Sequence, residues 1–314
     1  MKKIKNIGAQ SRFFIWYHES FIVRFLLALL PFFMRTFSRR FLYIIRYPFT
    51  WLYYYGGRGF RKSVFSNLRV AMGNGTSERE LHRITRLVFG NVTKSFVDQF
   101  YAVFLPDGRL AAEILDTPIG IENIERGLAR GKGAIFLTGH VGNWEIGGIT
   151  LNTLGRKVHM VYLPDRFPAF EKMLTKSRAK KHVIGIPMGN AFETSLRLLR
   201  LLAAGEVIAM KGDRIIIGEG VTVTFFGKDT IFPKGPSLIS YISGAPIIPT
   251  FLIANGQNKY QPIVLEPIYP EKTRDKERAI RDNVTKIARV MEEMIRRYPD
   301  QWYMFYPFWR VNRT

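Results

Sequence analysis

The segment Thr138-Gly139-His140-Val141-Gly142-Asn143-Trp144-Glu145 carries the residue types best suited to chemistry in this 314-residue chain. An imidazole that titrates near neutrality can take and return protons at cellular pH. Glu145 stands five positions after His140. A carboxylate at that distance can swing back onto the ring, fix its tautomer and stabilise the imidazolium. Gly139 and Gly142 permit a tight turn and the close approach of a substrate. The segment has no serine and the chain no cysteine, so His140 has no neighbouring nucleophile to activate. The simplest chemistry is direct: His140 acts as general base toward a substrate hydroxyl, which attacks an acyl carbon, with Glu145 as its partner. His18, His82, His159 and His182 lack such a context and read as structural residues. Zinc is not indicated, because the HExxH pattern is absent and no third ligand has suitable spacing.

A turn of this kind needs strands and helices to hold it. Strand-length apolar runs occur at 134–138, 158–163, 183–186, 207–210, 221–226, 246–253 and 260–265. Helical patterns occur at 77–104, 121–130, 144–154, 168–182, 191–204, 235–243 and 273–297. Ser77 reads as an N-cap with Glu80 in the capping-box position, and Pro106 with Gly108 as a break. Strands alternating with helices predict an α/β fold from about residue 110 onward, a mostly parallel sheet flanked by helices. Ligands in such sheets bind beyond the carboxyl ends of the strands, which is where His140 falls.

Basic residues number 47 against 25 acidic, a formal charge of +22 that predicts an anionic partner. Residues 1–62 hold twelve of the basic residues and a single acid, Glu19, among many aromatics, including Trp16, Trp51 and Tyr53-Tyr54-Tyr55. The longest charge-free runs there, 25–34 and 47–57, fall short of the roughly 20 apolar residues of a spanning helix. Arg24 interrupts the apolar stretch and no cleavage site follows, so a signal peptide is not indicated. Basic, aromatic segments suit a membrane interface, where Trp and Tyr sit at headgroup depth and Lys/Arg meet lipid phosphates. The expected organisation is a helical membrane-associating segment, 1–60, before the α/β domain, 61–314. No nucleic-acid-binding motif accompanies the charge, and the basic region is too apolar for a solvated nucleic-acid arm.

The fuller pattern Gly-His-x-Gly-Asn-Trp-Glu resembles the bacterial lipid A biosynthesis acyltransferases, a branch of the glycerolipid-type acyltransferases marked by a histidine and an acidic residue five positions apart. Other segments match in the family's order: Arg61-Lys62-Ser63-Val64-Phe65-Ser66-Asn67-Leu68, the turn Lys211-Gly212-Asp213-Arg214, Phe225-Phe226-Gly227, Phe232-Pro233-Lys234-Gly235-Pro236, Gly244-Ala245-Pro246-Ile247-Ile248-Pro249, and the aromatic ending 302–310. The resemblance covers about residue 20 to 310. It implies an acyl thioester donor on acyl carrier protein or coenzyme A, and an anionic glycolipid acceptor with a free hydroxyl. That acceptor is a lipid A precursor or, alternatively, another glycolipid such as a phosphatidylinositol mannoside. A non-catalytic membrane protein of the same fold is the remaining alternative. The resemblance requires no metal or bound cofactor, and it implies a hydrophobic cavity for the acyl chain and a place on the cytoplasmic face of a bacterial inner membrane.

Under this resemblance the tetrahedral oxyanion needs donors, from backbone N–H groups near Gly235 or from Arg214. Asp213 is either a turn former or a holder of Arg214 or the acceptor. Asn143 is either a helix cap or a substrate contact. Arg178, Lys180, Lys181 and Lys234 are candidates for acceptor phosphates or carrier docking. Two departures bear on the acceptor. Related glycerol-phosphate enzymes carry Phe-Pro-Glu-Gly where this chain has Phe-Pro-Lys-Gly. The lipid A enzymes' Tyr-Arg-Pro is here Tyr162-Leu163-Pro164, leaving Arg166 or Arg178 to supply the charge.

Overall fold

Among the described residues there are eight short strands: β1 (Ala134–Thr138), β2 (Val158–Tyr162), β3 (Ile184–Pro187), β4 (Val207–Lys211), β5 (Gly220–Phe225), β6 (Lys228–Pro233), β7 (Ile247–Ala254) and β8 (Tyr260–Val264). The computed structural model describes residue 29 and residues 32–151, 157–165, 168–215 and 220–311. The basic, aromatic stretch 1–28 and Arg166 lie outside the described residues. Six strands join in the order β3-β2-β4-β1-β7-β8, and β5 pairs with β6 alone. β1 is parallel to both its neighbours, β4 and β7, and β8 closes one edge antiparallel to β7. The fold is therefore α/β with a mostly parallel sheet.

Both sheet faces are covered, so the inner strands are apolar almost throughout. Alternate residues still choose a face. Ile135 and Leu137 join a core with the helices Ala191–Ala203, Gly235–Ser243 and Lys276–Arg297. Ala134 and Phe136 point the other way, toward the helices Glu122–Leu128 and Trp144–Leu151. Ser77 caps the helix Glu78–Phe104, its Oγ accepting from the Glu80 N–H at 3.2 Å.

Several elements differ from the sequence expectation, among them β6 and the helix Arg58–Met72, which have no counterpart there. A helix, Asp107–Ile114, starts where a break is expected. Pro106 needs no N–H at its N-cap, and Gly108 falls in the first turn, where it costs little. The Phe225-Phe226-Gly227 element ends no lone strand. It turns the β5–β6 hairpin, with φ of 51° at Phe226 and 72° at Gly227. Positive φ at both central residues is the turn that matches strand twist. The Phe226 ring packs against Phe225, Trp302 and Trp309, and its N–H donates to Glu292.

The N-terminal part of the described chain is helical. Arg39–Gly56 and Arg58–Met72 meet at Gly57, where a Cβ would lie 2.5 Å from the Tyr53 carbonyl oxygen. The second of these helices runs across residue 60 without interruption. Among the described residues, no helix is long and apolar enough to cross a membrane. Asn67 ties this region to the aromatic ending. Its amide donates to the carbonyls of Met304 (3.0 Å) and Tyr306 (2.8 Å) and accepts from the Phe308 N–H (3.0 Å). Two motifs more than 230 residues apart in the chain thus form one buried unit.

Candidate active site

β1 and β4 run side by side in parallel, with Thr138 opposite Lys211. Two residues beyond that pair the chains reach His140 and Asp213. The Gly212 N–H donates to the Thr138 carbonyl at 2.9 Å, carrying the pairing past the strand ends. Register therefore sets Asp213 against His140. His140 Nδ1 lies 2.8 Å and 3.0 Å from the two Asp213 carboxylate oxygens, and the His140 backbone N–H donates to Oδ2 at 2.7 Å. A Cβ on Gly139 would stand 3.2 Å from Asp213 Oδ2 and 2.8 Å from Met291 Sδ. On Gly142 it would stand 2.1 Å from the Leu252 carbonyl oxygen, in a residue whose φ is +67°. The glycines are there because backbone must pass close to other backbone and to the carboxylate. The Tyr303 N–H donates to the His140 carbonyl at 2.8 Å, so the aromatic ending holds the His140 turn.

The electrostatics fix which proton sits where. His140 and Asp213 are both buried. Burial pushes the His140 pKa well below its usual 6.5, and the positive charges of Arg214 and Lys211 push the same way, outweighing Asp213. Although burial opposes it, the contact with His140 and the charge of Arg214 hold Asp213 below the usual carboxylate range. An ionised Asp213 only accepts hydrogen bonds, so Nδ1 carries the ring proton and Nε2 presents a lone pair. This is the tautomer of a general base.

Glu145, expected to orient His140, does something else. Its carboxylate takes Arg178 in a two-point contact, Nη2–Oε1 2.8 Å and Nε–Oε2 3.2 Å. Arg178 is buried in the last turn of the helix Pro168–Lys180, its guanidinium 4.1 Å over the Tyr162 ring. A buried guanidinium needs a carboxylate, and Asp213 already occupies His140 Nδ1. Sequence nearness favoured Glu145, at five residues, over Asp213, at 73. The signal that would have found Asp213 is an acid two residues beyond a strand adjacent to β1.

The other expected site residues separate. Asn143 is a helix cap: Oδ1 accepts from the Ile146 N–H at 3.2 Å and Nδ2 donates to the Ser95 carbonyl at 3.1 Å. Both ends of its amide are thereby held by protein, which leaves neither aimed at a substrate. Arg214 donates to the Tyr303 carbonyl at 3.0 Å and lies over the Tyr306 ring, with Nε buried and unpartnered. Lys234 and Gly235 open the helix Gly235–Ser243, which packs on the sheet face opposite the cavity described next. That placement leaves the expected oxyanion donors near Gly235 away from the cavity wall. Lys181 is buried and spends its ammonium on the Leu105 carbonyl, so it is not the phosphate contact expected of it. Lys180 lies over the Phe104 ring.

An apolar cavity of about 160 Å³ lies between the sheet and the helix Trp144–Leu151. Phe136, Ala209, Met160 and Leu252 contribute from the strands, and Leu151, Ile124 and Ile121 from the helical side. Thr138, Glu145 and Lys211 bring polar groups to the end nearest the strand carboxyl termini. Trp144 joins cavity and catalytic turn. It lines the cavity and packs edge-on against the His140 ring, centroids 4.9 Å apart.

The family model described as bacterial lipid A biosynthesis acyltransferase matches residues 14–311. The chain belongs to this family. Among its curated relatives is a phosphatidylinositol mannoside acyltransferase of Mycobacterium tuberculosis (strain CDC 1551), 27% identical over 217 residues, covering 65% of this chain and 63% of that protein. Another, from Mycolicibacterium smegmatis, is 25% identical over 239 residues and 72% of each chain. The match thus spans a little under two thirds of the length of the M. tuberculosis relative. The family's Gly-His-x-Gly-Asn-Trp-Glu element now has parts with distinct work. Gly139 and Gly142 give passage, Asn143 caps, Trp144 bridges to the cavity, Glu145 neutralises Arg178, and His140 is left with Asp213.

Proposed function

We propose that this protein transfers a fatty acyl chain from a thioester, on acyl carrier protein or coenzyme A, to a hydroxyl of an anionic glycolipid. The observation that carries this reading is His140, paired through Nδ1 with Asp213, beside the Trp144 wall of an apolar cavity. The acyl chain lies in the cavity with its carbonyl at the polar end. His140 Nε2 takes the acceptor hydroxyl proton as that oxygen attacks the carbonyl carbon. The tetrahedral intermediate then expels the thiolate as the C–S bond breaks, and the imidazolium returns the proton to sulfur. Two acceptors fit this reading: a lipid A precursor, which the family's description supports, and a mannosylated inositol lipid, which the names of the relatives support.

The test is an assay with purified protein in detergent, both donors, and both acceptors. Transfer that disappears in His140→Ala supports the reading and names the substrates. Absence of transfer from either donor to either acceptor by folded wild-type protein overturns it. The cavity adds a second readout. Ala209 lies on β4 two residues before Lys211, deeper along the cavity wall. Ala209→Leu is expected to lower kcat/KM for the longest accepted donor about tenfold or more, and to spare shorter ones, since each methylene is worth about 1–3 kcal/mol in such a pocket. A uniform loss at all chain lengths would argue against this cavity as the acyl site.

The protein is further read as peripheral on the cytoplasmic face of a bacterial inner membrane. The helix Arg39–Gly56 supports this with an outer face of Phe41, Ile44, Tyr47, Trp51, Leu52 and Tyr55, all exposed beside Arg40 and Arg58. Exposed aromatic and basic residues together suit a headgroup layer. Anionic phospholipid vesicles should carry the protein into the pellet at low salt, and Trp51→Glu with Leu52→Glu should leave it in the supernatant. Wild-type protein that stays in the supernatant at low salt would refute this placement.

A further inference from the structure

Lys211 and the charged groups around it include more cations than carboxylates. Lys211, on β4, points to the cavity face opposite Thr138, and its ammonium stands 5.0 Å from the centroid of the Trp144 ring. The same ring carries His140 at 4.9 Å. The charged groups around Lys211 are Glu145 from the helix Trp144–Leu151, Arg178 from the helix Pro168–Lys180, and Asp213 and Arg214 from the turn after β4, with the His140 ring nearby. Both carboxylates are already committed, Glu145 to Arg178 by two contacts and Asp213 to His140 by two oxygens. Among the described residues Lys211 forms no salt bridge of its own, and it is the cationic residue lining the cavity. With His140 neutral, three cations face two anions around Lys211, while Asp116, the other acid lining the cavity, accepts from Asn255 Nδ2 at 2.6 Å. A half-buried site with one unbalanced cation favours an anion. Acyl transfer creates that anion at the thioester carbonyl oxygen as the tetrahedral intermediate forms.

We infer that the Lys211 ammonium holds the thioester carbonyl oxygen at the cavity mouth and stabilises the oxyanion of the tetrahedral intermediate. This assignment rests on the acyl-transfer reading above. It gives Lys211 a job distinct from that of His140: His140 moves the proton, Lys211 receives the charge. It also gives Trp144 a second purpose, because its ring packs against both the ammonium and the imidazole.

The experiment compares wild type, Lys211→Met and Lys211→Arg in the acyl-transfer assay, with thermal melts to show that each is folded. Lys211→Met is expected to lower kcat about 10²–10³-fold, the usual cost of removing one oxyanion donor, with the KM for the acyl donor within about threefold of wild type. Lys211→Arg is expected to recover part of that loss. The pH profile separates the role from packing. Burial holds the Lys211 pKa below its usual 10.5, so the wild-type rate should decline on the alkaline side before the ordinary lysine range. In Lys211→Arg that decline should vanish, because a guanidinium keeps its proton. A Lys211→Met enzyme with wild-type kcat overturns the inference while leaving acyl transfer intact. So does one that loses only affinity for an anionic acceptor, which would make Lys211 a headgroup contact. Absence of transfer by the wild type removes the acyl-transfer reading and this assignment together.

Discussion

Asp213→Asn should lower kcat by about 10³–10⁴-fold while leaving the fold and the substrate KM values nearly unchanged. Asparagine keeps the shape of the site, but its amide can donate to His140 Nδ1. The ring proton then moves to Nε2, the nitrogen that must be free to accept from the acceptor hydroxyl. His140→Ala should cost a similar amount, and the double variant little more, because the two residues act as one unit. Additive losses would mean that they do not. The protonation state supplies a second check. His140 is held neutral well below its usual 6.5, so the rate should stay level through about pH 6, where an ordinary imidazole is largely protonated. A rate that halves near 6.5 would show a solvated His140. Stability follows the same sign. A His140 pKa lowered in the fold means that the unfolded chain binds the extra proton first, so this contribution is present above about 6.5 and is lost as pH falls below it. Asp213, also lowered by folding, adds stability above the usual carboxylate range that is lost on further acidification.

Asp98→Leu is expected to destabilise the protein by about 3–5 kcal/mol, because it strands a buried cation. Asp98 is fully buried on the helix Glu78–Phe104. It accepts from Arg39 Nε at 2.7 Å, from the Tyr43 hydroxyl at 2.5 Å and from the Tyr260 hydroxyl at 2.6 Å. Arg39 and Tyr43 belong to the helix Arg39–Gly56, and Tyr260 to the edge strand β8. One carboxylate therefore docks the N-terminal helix and the sheet edge onto the same surface. The loss should appear as a lower denaturant midpoint and as early proteolysis near Gly57. Combining Asp98→Leu with Arg39→Met should restore most of the stability, since an apolar pair of similar volume replaces a buried ion pair at little cost. A double variant as unstable as the single one would mean that packing, and not the stranded charge, dominates.

The relation of sequence to structure follows the range of each interaction. Helix Glu78–Phe104 was legible because its start is a local matter: Ser77 caps an N–H three residues on. Seven of the strands were legible because their apolar runs are short and bounded by turns, and β6, which carries Lys228 and Asp229, was not. The His140 turn was legible because glycine spacing and a histidine after a strand sit within eight residues. The exposed aromatic face of Arg39–Gly56 was visible only as composition, and its docking on Asp98 was not.

The sequence by itself determined an α/β fold, the family and the histidine turn proposed to carry the chemistry, because each depends on contacts a few residues apart or on an ordered set of motifs. Only the tertiary structure decided the partner of that histidine. The parallel register of β1 and β4 carries Asp213 across 73 residues to Nδ1, and a buried Arg178 draws Glu145 away. It likewise joined Asn67 to the aromatic ending and set Lys211 at the mouth of the cavity. Strand order and register are global quantities, set by which apolar faces can be buried together, and no local spacing along the chain encodes them.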